Sequence, residues 1–465
     1  MLKFLPFTDK CLKKIQKYTE KSPYFNCDFS AGVLFMWNDV YNLSYAEYNS
    51  TLILKCNFLN KKTVFMLPSG KDFEGALSQI EDYAVENGIK LAFMCVEEEK
   101  LNFLRERYND KLTFSFNRDF SDYIYDYNSL LTLVGKKFSG QRNHINNFNK
   151  NYPNHKFKKI TKKDIEKIKA FLQEYKKEHK NGGKIEKNEL KNTLKLLDNY
   201  NLAKYQGGYV EIDGEIASFT IGEYVGKTLI IHVEKALKKY KGIYPATFNM
   251  FLRSAKKDGV EFINREDDSG DIGLRTSKTQ YQPIRLLNKH YVEIKKPMNV
   301  TKKPTLKGEK VLLRGILEQD KDFYYKLYVS KTLNKYWGYD YKKDIVNPTP
   351  DAFFNLQYND FKNKNNLCLL VADKVTKKPV GEVVFHNFNY KNQVEIGIRI
   401  IKKEHGKGYG KNAVKTAINY AVNVLKKQPI SKCFIKNQAS LKCLKSAGFT
   451  EKMADKKFYY LEYKV

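Results

Sequence analysis

Three stretches of the 465-residue chain hold residue types that could do chemistry. The first is VEIGIRIIKKEHGKGYGKNAVKTAINYAV, from Val394 to Val422. Val394, Ile396, Ile398 and Ile400 alternate with Glu395, Gly397 and Arg399, which predicts a half-buried strand. Gly406, Gly408 and Gly410 follow, and then Ala413, Val414, Ala417, Ile418 and Ala421 at helical spacing. A Gly-rich turn that opens a helix lets backbone N–H groups converge on an anion, and the helix dipole favours the same charge. A pyrophosphate fits such a nest, with Lys407 and Lys411 adding charge at its rim. Three alternating glycines alone could equally be a flexible strand-to-helix connection.

The second stretch is EFINREDDSGDIGLRTSKTQYQP, from Glu261 to Pro283. It packs Arg265, Glu266, Asp267, Asp268, Asp271, Arg275 and Lys278 directly after a predicted strand. Charges of both signs at a strand end, with Gly270 and Gly273 between them, suit a binding loop. They would also suit a self-neutralising surface turn. The third stretch, Gly135 to Pro153, is basic with interleaved aromatics. Arg142, His144 and Lys150 could meet phosphates while Phe148 stacks on a base. The competing reading is a solvated helix that buries Phe148 and Ile145. IIHVEKA, from Ile230 to Ala236, adds His232 and Glu234.

The elements that must position these residues follow from periodicity. Strands are expected over 52–58 and 63–67, joined by the turn Leu59 to Lys62, then a helix over 73–87 and a strand over 89–96. A helix over 164–178 precedes strands over 204–212 and 215–223, joined at Asp213-Gly214. A strand over 228–233, a helix over 244–257 and a short strand over 260–264 complete that group. The last third repeats the order, with strands over 367–372, 380–386 and 394–400 and a helix over 411–425. Mixed strands and helices of this kind give an α/β (α+β) class with helices on the sheet faces.

Composition narrows the function classes. Apolar residues make up 42% and aromatics 14%, so the chain can bury cores rather than stay disordered. No apolar run is long enough for a membrane span, and the N-terminus has no cleavable-signal pattern. Seven cysteines lack CxxC pairs or histidine neighbours, so neither a disulfide framework nor a metal site is expected, and reduced cytoplasmic thiols fit. The net charge is +31, which points to an anionic partner or to solvated lysines of no special role.

The glycine turn resembles the acetyl-CoA-binding motif of the GNAT superfamily, [QR]-x-x-G-x-[GA]. Gly408 and Gly410 match, and His405 stands where Gln or Arg is usual. Asn437-Gln-Ala-Ser440, continuing to Gly448-Phe449, resembles the family's late helix, and Val311 to Leu327 resembles its opening strand and helix. The likeness spans nearly all of residues 306–465 and is nearest to the branch that includes ribosomal-protein alanine acetyltransferases. It implies acetyl-CoA as cosubstrate and no metal. The pantetheine arm would run along Ile398, Arg399 and Ile400. The pyrophosphate would sit on His405, Gly406, Lys407, Gly408, Tyr409, Gly410 and Lys411, and Asn437 and Ser440 would line the arm's channel. A helix-capping role for Asn437 and Ser440 stands beside that one. An acceptor amine must lose a proton before attack, with Glu395 or Glu382 as base; an idle strand carboxylate is the alternative for Glu395. The late-helix position that often carries a tyrosine acid is Leu444 here. Aromatic loops around 336–341 and 385–390 would build the acceptor pocket.

The motifs NHINNF, HVEKA and NRE…GLR…K…Y resemble a bacterial family without an assigned reaction. That family is related to the catalytic domain of phosphatidylglycerol lysyltransferase and, more distantly, to peptidoglycan-bridge aminoacyltransferases. The likeness runs from about Cys27 to Tyr291 and implies two GNAT-like modules in tandem, hence three in the chain. Each would be a mixed central sheet flanked by helices, over 1–125, 126–296 and 311–465, with a linker at 297–310. A second site would use Arg142, His144, His232, Glu234, Asn264, Arg265, Glu266, Asp267, Arg275, Lys278 and Tyr281. The resulting function is acetyl transfer from acetyl-CoA to a primary amine on a small molecule, peptide or protein N-terminus. The alternatives are an aminoacyl-tRNA-dependent transferase, with tRNA or another polyanion as partner, and a non-catalytic ligand-binding protein.

Overall fold

A computed structural model describes residues 2–58, 62–109, 111–178 and 184–464. The chain divides into two compact units, residues 1–80 with 91–294, and residues 81–90 with 295–465. The expected turn at Leu59 to Lys62 falls mostly outside the described residues. Its flanking strands, Thr51–Phe58 and Lys62–Met66, pair antiparallel as anticipated.

Three mixed sheets carry the fold, and each repeats one arrangement. An antiparallel run ends at a strand that pairs in parallel with the next one, and a helix lies between those two strands in the chain. In the first sheet Lys62–Met66 runs parallel to Ala92–Glu97, with the helix Phe73–Glu86 between them in sequence. In the second, Thr228–Ala236 runs parallel to Phe262–Asn264, around the helix Ile243–Ser254. In the third, Gln393–Ile400 runs parallel to Gln428–Phe434, around the helix Tyr409–Asn423. A parallel pair needs a long crossover, and a helix laid on the sheet face supplies it. These are the three GNAT-like modules of the α/β (α+β) class. The strand Lys289–Ile294, which follows the second module, returns to the first sheet between Ala92–Glu97 and Leu112–Phe116.

The crossover helices are amphipathic for a plain reason. Ala413, Val414, Ala417, Ile418 and Ala421 are all buried against the third sheet. Ile243, Ala246, Phe248, Phe251 and Leu252 do the same for the second. The helix expected over 411–425 begins two residues earlier, because Gly408 takes a left-handed conformation (φ +87°) that ends the turn and starts the helix at Tyr409. Residues before the third sheet contribute Met298 and Val300 to its core, and Leu306–Lys307 forms its edge strand. Among the described residues no helix is long and apolar enough to cross a membrane, and the seven cysteines are free.

Candidate functional site

In the third sheet the strand Gln393–Ile400 pairs with Pro379–His386 on one side from Glu395 as far as Ile400. On the other side its parallel register ends at Glu395 opposite Ile430. Ser431 Oγ still donates to the Ile396 carbonyl at 2.9 Å, and beyond that point the two strands part. The glycine turn stands at the end of this opening. His405 Nε2 donates to the Ile400 carbonyl at 2.8 Å, so its ring closes the turn instead of reaching for an anion. Gly406 and Gly408 have φ of +78° and +87°, which only glycine adopts without strain. Asn412 N–H to the Gly408 carbonyl is the first intrahelical bond, and no side chain caps this terminus. The N–H groups of Tyr409, Gly410 and Lys411 therefore have no intrahelical partner among the described residues. Lys407 pairs with Glu404 at 2.9 Å, while Lys411 is exposed. Tyr409 Oη bonds Asp373 at 2.6 Å, which holds that carboxyl down at about 2. A Cβ on Gly410 would meet Cys443 Sγ at 3.2 Å, so this glycine sets the approach of the late helix.

The reaction face lies on the same strand. Glu395, Gly397 and Arg399 share one side of it, opposite the core residues Val394 and Ile396. A Cβ on Gly397 would stand 3.3 Å from the Trp337 ring and 3.5 Å from His386 Nε2. The glycine thus leaves the backbone flush beneath an aromatic lid. The Glu395 carboxylate accepts from Asn387 Nδ2 at 2.7 Å and lies 3.9 Å from His386 Nε2, with its side chain 14% exposed. Glu382 differs entirely. Its side chain is fully buried and bound by Arg399 Nε (2.6 Å), Tyr324 Oη and Cys368 Sγ. A carboxylate held this way cannot take a proton from an acceptor, so Glu382 leaves the list of bases. Arg399 follows it: its guanidinium lies 4.4 Å from the Tyr328 ring centre and 4.3 Å from that of Trp337. The pair is structural and fixes Trp337 over Gly397.

Asn437 Oδ1 accepts from Ser440 N at 3.2 Å, so these two residues cap the helix Gln438–Ser446. Leu444 belongs to the core, so the position that often carries a tyrosine offers no proton. Of the acceptor loops, Trp337 covers Gly397 and Tyr336 packs on Phe434, whereas Phe385 and Phe388 are core residues.

The second sheet parts in the same way, after Ile230 opposite Asn264. Here side chains bridge the gap. Arg265 reaches Glu234 through Nε at 3.0 Å and Nη2 at 2.8 Å, and lies between the rings of Phe248 and Tyr281. His232 sits between Glu223 (3.4 Å) and Glu266 (2.9 Å). Burial alone would lower the His232 pKa, but bonds to Glu223 and Glu266 outweigh it and push it up to about 9. Lys278 Nζ bonds the carbonyls of Arg265 and Asp267. Asn264 ties Asp122 to the Phe25 carbonyl. Arg275 is spent on Asp268 and Asp119, so this part of the loop is the self-neutralising turn. Arg142 caps the carbonyls of Leu133 and Gly135, and Phe148 is fully buried. His144, Glu234, Arg265 and Tyr281 do converge, on a cavity of about 350 Å³ in front of the helix Ile243–Ser254.

Sequence reasoning missed one cluster. Lys289 is nearly buried and its ammonium lies 2.9 Å from Asp28, 2.8 Å from Asp122 and 3.4 Å from Asp267, beside Cys27. Cys27, Asp122 and Asp267 are close enough to hold a metal ion, but the ammonium already stands among them. The partners come from three separate parts of the chain, so no spacing announces them.

Comparison with known proteins adds the following. Residues 19–293 match the family described as phosphatidylglycerol lysyltransferase, C-terminal, and residues 310–450 match the acetyltransferase (GNAT) domain. An uncharacterized N-acetyltransferase of Bacillus subtilis (strain 168), YoaA, is 22% identical over 161 residues, 34% of this chain and 89% of that protein. A conserved protein of unknown function from Bacteroides thetaiotaomicron VPI-5482 is 29% identical, covers 63% of this chain and all of its own, and superposes with a TM-score of 0.59. The L-PGS structure from Bacillus licheniformis is 18% identical over 60% of this chain and 90% of its own, with a TM-score of 0.44.

Proposed function

From the premise that the chain belongs to the phosphatidylglycerol lysyltransferase C-terminal family and carries a GNAT acetyltransferase domain, we propose that this last domain moves acetyl from acetyl-CoA to a primary amine. One observation carries the reading. The left-handed turn at Gly406 and Gly408 delivers free helix N–H groups at the end of the gap where Gln393–Ile400 leaves its parallel partner. An N-terminal helix turn suits a pyrophosphate. The parted strand offers unpaired backbone to an amide-bearing arm, as a sheet edge does.

The chemistry then follows from the residues in place. A backbone N–H on the strand near Gly397 polarises the thioester carbonyl. The acceptor enters on the face beneath Trp337. Glu395, reached directly or through a water, takes the proton of the ammonium. The free amine attacks the carbonyl carbon, the C–S bond breaks, and the attacking nitrogen sheds its second proton, which water relays to the leaving thiolate, since Leu444 offers none. The acceptor is an amine on a small molecule, a peptide or a protein N-terminus. The test is a mass-spectrometric screen of amines and peptides incubated with acetyl-CoA and the full chain. Acetylated product, with thermal stabilisation by CoA that Gly408→Glu abolishes, supports the reading. No product and no stabilisation overturns it.

Family membership over residues 19–293 favours a second reading, aminoacyl transfer by the N-terminal pair, with aminoacyl-tRNA as donor and the excess positive charge as its steering field. Its mark is salt-dependent tRNA binding.

A further inference from the structure

The face of the third sheet that carries Glu395 continues across the next two strands. Glu395 stands opposite Ile430, and Ile430 opposite Glu462. Two residues along, Lys432 pairs with Tyr460, and two further on Phe434 pairs with Phe458. Paired residues, and residues two apart, point to one side of a sheet, so all of these share the side of Glu395. The rings follow one another. Tyr460 lies 6.4 Å from Phe458, Phe458 4.5 Å from Phe434, and Phe434 5.7 Å from Tyr336, the chain neighbour of Trp337. All four rings are half-buried. The Tyr460 end lies beside the candidate base: its phenol is raised first by the bond to Asp455, then by burial, and also by the charge of Glu395.

Three lysines ride on this strip. Lys432 Nζ lies 4.1 Å from the Phe458 ring centre and 5.3 Å from that of Tyr460. Lys457 Nζ lies 5.2 Å from Phe458 and 5.7 Å from Phe434, and Lys335 Nζ 5.2 Å from Tyr336. All three are exposed, and among the described residues none of these ammonium groups has a carboxylate at ion-pair distance. A ring face steadies a cation and leaves it donors for an anion. The nearby acids of these strands are spent. Glu462 pairs with Lys452 at 2.9 Å, and Asp455 accepts from Tyr460 Oη at 2.8 Å and from the N–H groups of Lys457 and Phe458.

We infer that the acceptor is the N-terminus of a polypeptide whose next few residues are acidic, its amine at Glu395 and its carboxylates on Lys432, Lys457 and Lys335. The inference rests on the acetyl-transfer reading and narrows its acceptor. Charge argues against a polyamine, whose several ammonium groups would meet three lysines without acid partners. Length argues for a chain. The ring-to-ring steps give a strip of up to about 17 Å, which an extended chain covers in about five residues. A single amino acid would leave most of the strip unused.

The experiment follows acetyl transfer by the full chain to short peptides that share an N-terminal serine and continue with acidic, neutral or lysine residues. Spermidine and free glutamate are run beside them. The acidic peptide should exceed the lysine peptide by roughly tenfold or more in kcat/KM, the worth of one charge-assisted contact. Added salt should shrink that preference. Lys432→Glu/Lys457→Glu should reverse it, and the milder Lys432→Gln/Lys457→Gln should erase it, each with the parent's melting temperature. Lys415→Glu, on the exposed side of the helix Tyr409–Asn423, should keep it. Turnover of the lysine peptide or spermidine as fast as the acidic peptide overturns the inference and leaves acetyl transfer standing. So does an acidic preference that Lys432→Gln/Lys457→Gln retains. Free glutamate acetylated faster than the acidic peptide overturns the assignment to a chain. No product in any arm overturns the acetyl-transfer reading, and this inference with it.

Discussion

The second and third sheets part at the same place and treat the gap in opposite ways. In the second, Glu234–Arg265 and His232–Glu266 span it, so charged side chains stand where a ligand arm would lie. In the third, one serine bond closes the gap's start and the strand beyond lies under Trp337. One backbone plan thus yields an unbridged gap in one module and a bridged one in another. The difference rests on side chains of the loop after the second parallel strand. Of these two modules, only the C-terminal one leaves the gap free of side-chain bridges beyond that serine bond.

The sharpest way to break this comparison is at Glu395. If the open channel is where an acceptor amine loses its proton, Glu395→Gln should lower kcat by about 10²–10⁴. The KM for acetyl-CoA should stay as it was, because Glu395 lies away from the turn. Steady-state kinetics on whichever amine the screen identifies decides it, and an unchanged kcat would return Glu395 to an idle strand carboxylate.

The lid tests the same channel through stability. Arg399→Met leaves Glu382 charged and unpaired in a fully buried position. Breaking such a pair from one side costs about 3–5 kcal/mol. Urea unfolding of the C-terminal unit should show that loss. Adding Glu382→Leu should recover much of it, since an apolar pair needs no partner.

How much of this was legible beforehand depends on the residue. The strand, the glycine turn and the helix at 394–422 could be read because period and backbone conformation are local properties. Between Glu395 and Glu382, the first choice and the alternative for the base, only tertiary burial decides: one carboxylate is held by Asn387 near the surface, the other lies beneath Tyr324 and Arg399. Arg142 and His144 lie two residues apart, yet one caps carbonyls and the other lines a cavity. The ammonium of Lys289 was invisible for a further reason, that Asp28, Asp122 and Asp267 meet it only after folding.

The bridged gap makes a pH prediction. His232 carries a folded pKa of about 9, above its ordinary 6.5. A raised pKa adds stability that is complete below pH 6.5 and is lost as pH rises toward 9. The shift corresponds to on the order of 3 kcal/mol. Unfolding of the N-terminal unit should therefore become easier between pH 6.5 and 9, and His232→Gln should remove most of that slope. A slope that persists in the variant would assign it to other groups.

The smallest effect separates two roles of one residue. Asn437 caps the helix Gln438–Ser446 through the Ser440 N–H, a bond that needs no ligand. Asn437→Ala should cost about 1 kcal/mol of stability, the usual worth of such a cap. Asn437→Asp should keep that stability, since a carboxylate caps equally well, while removing the side-chain N–H donor. If the channel beside the parted strand uses that donor, CoA affinity falls in both variants and stability only in the first. If Asn437 is a cap alone, Asn437→Asp binds CoA as the parent does. Calorimetry with a paired melting curve reads both quantities. The open gap of the third sheet then has to hold its arm by strand backbone and turn alone.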